Sequence, residues 1–394
     1  MSVHSAYAVA CGRGELVTPA ALKERVVVAA REAGAGAVAI ASAEDDVRAH
    51  QRFAASIARD DLATWPYDDA YAERAASPAA LLPGAKSVVC VAIPYAIDAP
   101  KERVPLSGRV SNYAWATDYH RYARPILQRI ASVLDDAAGE PATRLVCDTA
   151  PLAERAFAER AGLGWVGKHT NLIAPGLGSY VFLGEIVTTL ELPPDSPSKK
   201  TCGACTRCID VCPTRALRGD YTIDATRCIS DLTQRTDAIP RALRPLVGDW
   251  VLGCDLCQEI CPPTRRASPR VDAAFAAPHA NNAFPDLLAL LRLRGGEYKR
   301  RFRPTAMGWR GAALLRRNAA VALGNALDRA TVPALEQSLV GDASELVREH
   351  VAWALGRIGS PRAYASLKAQ SERETSLAVR EEISSALGFL ATPA

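Results

Sequence analysis

Eight of the chain's eleven cysteines fall between Cys202 and Cys261. Cys202, Cys205, Cys208 and Cys212-Pro213 spell C-x2-C-x2-C-x3-C-P, Cys228 stands alone, and Cys254, Cys257 and Cys261-Pro262 spell C-x2-C-x3-C-P. Thiolates this close together suit a group with several iron corners. The bacterial ferredoxin run wraps one 4Fe-4S cube in this way and sends its last cysteine to a second cube. The spacing therefore assigns Cys202, Cys205, Cys208 and Cys261 to one cluster, and Cys212, Cys228, Cys254 and Cys257 to the other. The 25 residues between Cys228 and Cys254 exceed the link of a compact ferredoxin and imply an insertion. Structural zinc and redox thiols are the alternatives. Zinc sites usually show two separated pairs, often with histidine, and explain neither C-x3-C-P ending. Cys11, Cys90 and Cys147 have no partner spacing; the last two lie in apolar runs and are expected to be packing residues.

At roughly 150 residues per domain, a 394-residue chain with 49% hydrophobic content supports two or three domains, each with its own core. A net charge of +4 excludes a polycation, so any nucleic-acid surface must be local. No apolar run approaches the roughly 18 to 20 residues of a membrane span, and Met1 to Ala10 lacks the pattern of a secretory signal. The expectation is a cytoplasmic protein without membrane association, in a reducing compartment where thiols stay free unless a metal uses them.

From Thr18 to about Leu190 helix and strand alternate, predicting an α/β domain over 1–195. Thr18 caps a helix with Pro19 at its first position; Ala37 to Ala41 and Lys86 to Ile93 read as strands. A long helix opens at Thr117 or Asp118 and runs to about Ala138. Arg144 to Cys147 reads as a strand, Pro151 to Ala161 as a helix, and Tyr180 to Leu190 as the strongest strand. Leu192 to Lys200 has linker composition, and the cysteine module occupies 196–270. A loose stretch, Pro262 to Asn282, leads into 271–394. There Leu315-Arg316 through Gly324, Val347-Arg348 through Gly356 and Val379-Arg380 through Gly388 align at a step of 32 residues. Such a period, without strand signal, means stacked helix pairs of the HEAT type. Ahead of it, Arg292, Arg294, Lys299, Arg300, Arg301, Arg303, Arg310, Arg316 and Arg317 stand against Glu297 alone, with Tyr298, Phe302 and Trp309 interleaved. Such a run is either a solvated helix face or a surface for phosphates and splayed bases.

Gly162, Gly164 and Gly167 match G-x-G-x-x-G, but the motif follows a helix and precedes an extended segment, the reverse of a dinucleotide fingerprint. A tight turn or a close approach is the expected role.

The segments DTAPLAER at Asp148 to Arg155, AGLGW at Ala161 to Trp165, GKH at Gly167 to His169, GS at Gly178-Ser179 and FLGE at Phe182 to Glu185 form an ordered set. It continues in CGACTRCIDVCPTRAL from Cys202, RCIS from Arg227, LRPLVGDW from Leu243, GCDLCQEICP from Gly253 and RRNAAVALGNA from Arg316. The set closely resembles the epoxyqueuosine reductase family of tRNA modification over nearly the whole chain. Pro263 departs from it, standing where the family usually has Trp.

That resemblance implies a cobalamin in the α/β domain, a ferredoxin-like module with two 4Fe-4S clusters, and an all-α, HEAT-like tail that binds tRNA. It also implies a two-electron deoxygenation of an epoxide at the anticodon wobble position. The segment Asp118 to Ala123 lacks the glycine of a full D-x-H-x-x-G motif, so cobalt is not expected to take His120. Asp148 reads first as an N-cap for the helix near Pro151, and the resemblance makes it the catalytic acid. By the same carry-over Tyr119, His120, Arg155, Lys168 and His169 become cofactor-pocket residues. From their own surroundings, Arg155 could instead pair with Glu159, and His120 could be a solvated helix residue. The partners expected are a tRNA stem-loop and an unidentified low-potential electron donor, with the chain acting as a monomer. Two other readings are a cobalamin-dependent reductive dehalogenase-like oxidoreductase and a polyferredoxin-type carrier. The first lacks a twin-arginine signal here, and the second leaves the α/β domain unexplained.

Overall fold

The computed structural model describes residues 9–10, 16–98, 102–267 and 282–391; Cys11 and most of the loose stretch before Asn282, with the expected boundary near 270, lie outside them. The first large element is a four-stranded sheet in the order Ala37–Ser42, Ser87–Pro94, Val181–Thr188, Thr143–Val146. All three pairings are antiparallel. Helix and strand do alternate along the chain, but helical connections do not dictate strand direction, and this is not a parallel, doubly wound sheet.

Both faces of the sheet are covered, which is why the strand runs read as continuously apolar. Val89, Val91 and Ile93 point to one side, under the helices Pro19–Glu32 and Tyr119–Ala138. Val88, Cys90 and Ala92 point to the other, under the helix Glu154–Arg160. Thr18 accepts from Ala21 N and Asp118 accepts from His120 N, capping two of these helices. The Pro- and Ser-rich segment after the last strand is stapled down: Asp195 takes Lys23 Nζ at 2.7 Å and Ile40 N at 2.9 Å.

The 25 residues between Cys228 and Cys254 are not a free insertion. They form the helices Ile229–Gln234 and Arg244–Val247 and the strand Trp250–Leu252, and Leu232, Val247, Trp250 and Val251 share one core with the C-terminal helices. Arg317, fully buried, donates to the carbonyls of Leu232, Arg235 and Asp237, and Asn318 donates to those of Thr233 and Val251. The insertion thus joins the cysteine loops to the tail.

The tail stacks the helices Ala312–Ala326, Val332–Gly341, Glu345–Ile358, Pro361–Ser371 and Leu377–Ala391. Its repeated Ala-Leu-Gly has a packing cause. A Cβ at Gly324 would lie 2.9 Å from Ala354 Cα, and one at Gly356 would lie 2.6 Å from Ala386 Cβ. The glycine of one repeat receives the alanine of the next.

Candidate active site

Asp148 follows the strand Thr143–Val146 and takes up the left-handed backbone region, φ 61°, which aspartate tolerates better than most residues. The next helix begins only at Glu154, with Ala153 as its cap residue and no side-chain cap. Asp148 therefore does not cap it, which corrects the local reading of this residue. Its N–H donates to Glu154 Oε1 at 2.6 Å, Tyr119 Oη donates to its Oδ2 at 2.6 Å, and its side chain stays 64% exposed. An ionisable group so tied and yet so open is positioned for something outside the chain.

The helix Tyr119–Ala138 supplies the opposite wall. Tyr119 stacks on Phe182 with ring centres 4.5 Å apart, and His120 stacks on Tyr119 at 4.2 Å. Burial, then the charge of Asp148, pushes the Tyr119 phenol far above its ordinary pKa, so it remains a donor. Asp118 holds His120 Nδ1 at 2.7 Å; Nε2, buried and without a hydrogen bond, stands 4.0 Å from Asp148 Oδ2. His120 is therefore a wall of the site and not a solvated helix residue.

Arg155 reaches away from Glu159, which instead takes Val166 N, and donates to Thr170 O at 2.7 Å. It is exposed at the rim, within reach of the Glu154 and Asp148 charges. Lys168 departs from the expected pocket: Nζ holds Gly203 O and Cys205 O at 2.9 and 3.1 Å, and its N–H points at Cys202 Sγ at 3.4 Å. It clamps the first cysteine turn because the Gly167 turn directs it there. His169 is 3% exposed, accepts Asn171 N through Nδ1, and is kept neutral by burial, with a pKa pushed down to about 4. It lies beneath the turn and does not line the face around Asp148. The glycine motif serves packing: Gly162 has φ 78°, and a Cβ there would come within 2.1 Å of Ser196 O.

Behind Asp148 lies a carboxyl pair that sequence reading did not assign. Glu185, fully buried opposite Cys90, has no hydrogen-bond partner other than the Glu154 carboxyl it lies against. Burial raises both, Glu154 to about 7, so the two hold a proton between them. Its sequence signal was an acid in the middle of the apolar run Tyr180 to Leu190.

The cysteines gather in two quartets. Cys208 feels the charges of Cys202, Cys261 and Cys205, while Cys257 feels first those of Cys254 and Cys228 and, across the two sets, that of Cys208, and Cys228 feels that of Cys212. Backbone N–H groups of Ala216 and Lys168 point at Cys212 and Cys202 sulfurs. Among the described residues no three His, Cys, Asp or Glu converge closely enough for one ion. Cys90 sits in the sheet and Cys147 in the bend just after its edge strand, apart from the quartets.

The basic stretch touches the site. Asp118 N donates to Pro304 O at 2.9 Å, and Thr117 bridges Thr305. Arg292, Arg294, Lys299, Arg300 and Arg303 are exposed there. Arg316 and Arg317 are not part of this surface: Arg316 pairs with Asp342 and Arg317 is internal.

With this geometry established, comparison with known proteins decides the family. Residues 75–149 match the family model described as epoxyqueuosine reductase QueG, 201–264 a 4Fe-4S double cluster binding domain, and 311–388 HEAT repeats. Epoxyqueuosine reductase of Synechocystis is 39% identical over 61% of this chain and 83% of its own. The chain belongs to the epoxyqueuosine reductase family. The Bacillus subtilis member is 35% identical over 70% of this chain and 72% of its own. A crystal structure of an epoxyqueuosine reductase with an epoxyqueuosine-modified tRNA-Tyr stem loop superposes with a TM-score of 0.87, 31% identity, and coverage of 94% of this chain and 99% of that one. Another, from Bacillus subtilis, has the loop of a catalytic aspartate swung out of the active site, with the same TM-score of 0.87. No helix among the described residues is long and apolar enough to cross a membrane.

Proposed function

We propose that this chain is an oxidoreductase that converts epoxyqueuosine in tRNA to queuosine, at the wobble position of the anticodon. The observation that carries the reading is Asp148, clamped by Tyr119 yet open, beside a basic segment bonded to Asp118. The balance is one epoxide, two electrons and two protons giving one alkene and one water. Breaking a C–O bond needs its oxygen protonated as it leaves, because an alkoxide is a poor leaving group.

The eight cysteines from Cys202 to Cys261 are the proposed ligands of two 4Fe-4S clusters, in the quartets described above. Cobalamin is the proposed further cofactor. The residues present fit such a group: an unpartnered His120 Nε2, the stacked Tyr119 and Phe182 rings, and an exposed Arg155 converge on the Asp148 face. Tyr119, His120 and Arg155 would hold it. When bound, the clusters supply single electrons and the cobalamin a low-potential centre for the pair.

The chain's own side chains manage position and protons. Tyr119 aims the Asp148 carboxyl, Glu154 fixes its backbone, and Asp118 sets the His120 ring. Asp148 delivers the proton to the departing oxygen, and the proton shared by Glu154 and Glu185 keeps the Asp148 loop in place. The basic segment holds the stem-loop by its phosphates. The domains are 1–195, 196–270 and 271–394; the setting is the cytoplasm, the molecule a monomer, and the electron donor a low-potential partner. Nucleoside analysis of tRNA from cells lacking the gene tests the reading. Epoxyqueuosine should accumulate and queuosine disappear, and an unchanged profile would overturn it.

A further inference from the structure

A row of aromatic rings crosses the surface between the Asp148 face and the basic segment. Tyr71 and Tyr67 have ring centres 4.3 Å apart, Tyr67 and Trp65 lie 6.1 Å apart and 6° from parallel, and Trp65 and Trp309 lie 5.9 Å apart and 15° from parallel. At the near end, the Tyr67 and Tyr71 hydroxyls are raised first by burial and then by charges that include Asp148, so they lie within its electrostatic reach. At the far end Trp309 is 49% exposed, and Arg310 lies over both indoles, 3.7 Å from the Trp309 ring centre and 5.2 Å from that of Trp65, with its Nε buried and unpartnered.

Rings from two distant parts of the chain, near-parallel and left partly in water, are not accounted for by core packing. Trp65 is held in this pose by Nε1 donating to Asp231 at 3.0 Å. The segment that leads to Trp309 carries Arg292, Arg294, Lys299, Arg300, Arg301 and Arg303, all but the half-buried Arg301 exposed, and none of them in an ion pair with an acid among the described residues. Flat π faces beside unpaired cations match the two halves of a nucleotide, base and phosphate.

We propose that Trp309, Trp65 and Tyr67 form a stacking platform for an unpaired nucleotide next to the modified base, with Arg310 reaching that nucleotide's phosphate. The proposal rests on the tRNA-modifying reading above and adds a nucleotide subsite to it. Phosphate contacts alone would hold the loop without fixing which base enters the site; a stacked neighbour fixes that register.

The test uses the full chain and an epoxyqueuosine-containing anticodon stem-loop RNA, in versions with each base beside the modified one either present or abasic. Trp309→Leu should weaken binding about five- to a hundredfold, leave the salt dependence unchanged, and make the variant indifferent to one abasic substitution that costs the parent protein as much. Trp309→Phe should restore most of the affinity. Equal affinity for Trp309→Leu and the parent, with tRNA still bound and reduced, overturns the platform and leaves the reductase reading standing. A parent protein that neither binds nor reduces the stem-loop removes both. A loss in Trp309→Leu that an abasic substitution deepens by its full amount also overturns the proposal, because the ring and the base would then act independently.

Discussion

Tyr119 Oη and Asp148 Oδ2 are 2.6 Å apart, and the two residues come from opposite walls of the site. Tyr119 opens a helix whose N-cap residue, Asp118, is bonded to the basic segment, and Asp148 follows the edge strand of the sheet in a left-handed turn. The hydrogen bond therefore links the segment proposed to hold the RNA to the group proposed to donate the proton.

Asp148→Asn separates the two roles open to this residue. Asparagine keeps the shape and loses the titratable proton, so turnover of epoxyqueuosine in tRNA should fall by about a hundredfold or more while iron content and folding stay as before. Tyr119→Phe, which frees the carboxyl without removing it, should cost about ten- to a hundredfold. Full activity in Asp148→Asn would end its assignment as the acid.

The buried Glu154 and Glu185 pair makes stability depend on pH. Its carboxyls are raised in the fold, Glu154 from 4.5 to about 7. Below the ordinary glutamate value both states are protonated and no stability is lost. As pH climbs above about 4.5 the unfolded chain releases protons that the fold retains, so stability declines as pH rises through the raised Glu154 value of about 7 and on through that of Glu185, which burial raises well above the ordinary value. Glu185→Gln supplies an amide donor to Glu154 and should flatten the decline, read as unfolding midpoint against pH. Parallel curves for the two proteins would show that the pair does not share a proton.

Chain order and local chemistry made much of this legible. Thr18-Pro19 and the Cys-Pro endings each carry a signal within a few residues, and the 32-residue step carries one by plain recurrence, so the first helix start and the alignment of the tail follow from them. The carboxyl pair and the aromatic row were hidden because Glu154 and Glu185, or Trp65 and Trp309, meet only through tertiary packing. Arg317 misled for the same reason. In sequence it extends a basic run, whereas its partners are carbonyls 80 to 85 residues earlier, the nearest being Asp237 O at 2.7 Å.

The quartets predict iron content. With all eight cysteines in place, about eight iron and eight sulfide per chain are expected after anaerobic reconstitution. Cys254→Ala should bring this down by about half, and Cys90→Ala, whose thiol packs inside the sheet against Val88 O, should leave it unchanged. Equal iron in the parent and Cys254→Ala would undo the assignment of the second quartet.

The basic segment divides into arginines that face solvent and arginines that hold the fold, and substitution should tell them apart. Arg300 and Arg303 are exposed and Arg301 half-buried over Phe302, so replacing all three by glutamate leaves the core intact and removes charge from the RNA surface. Binding of a tRNA stem-loop should weaken by about tenfold or more, and its dependence on salt should become shallower, since fewer counterions are released per complex. Arg317 carries the same charge but spends its hydrogen bonds on Leu232, Arg235 and Asp237 carbonyls inside the shared core. Arg317→Met would strand those carbonyls and should destabilise the protein by about 3 kcal/mol. The fraction that remains folded should bind the stem-loop with an unaltered salt slope. A shallower slope in Arg317→Met, or an unchanged one in the triple variant, would place the phosphate contacts elsewhere on the chain.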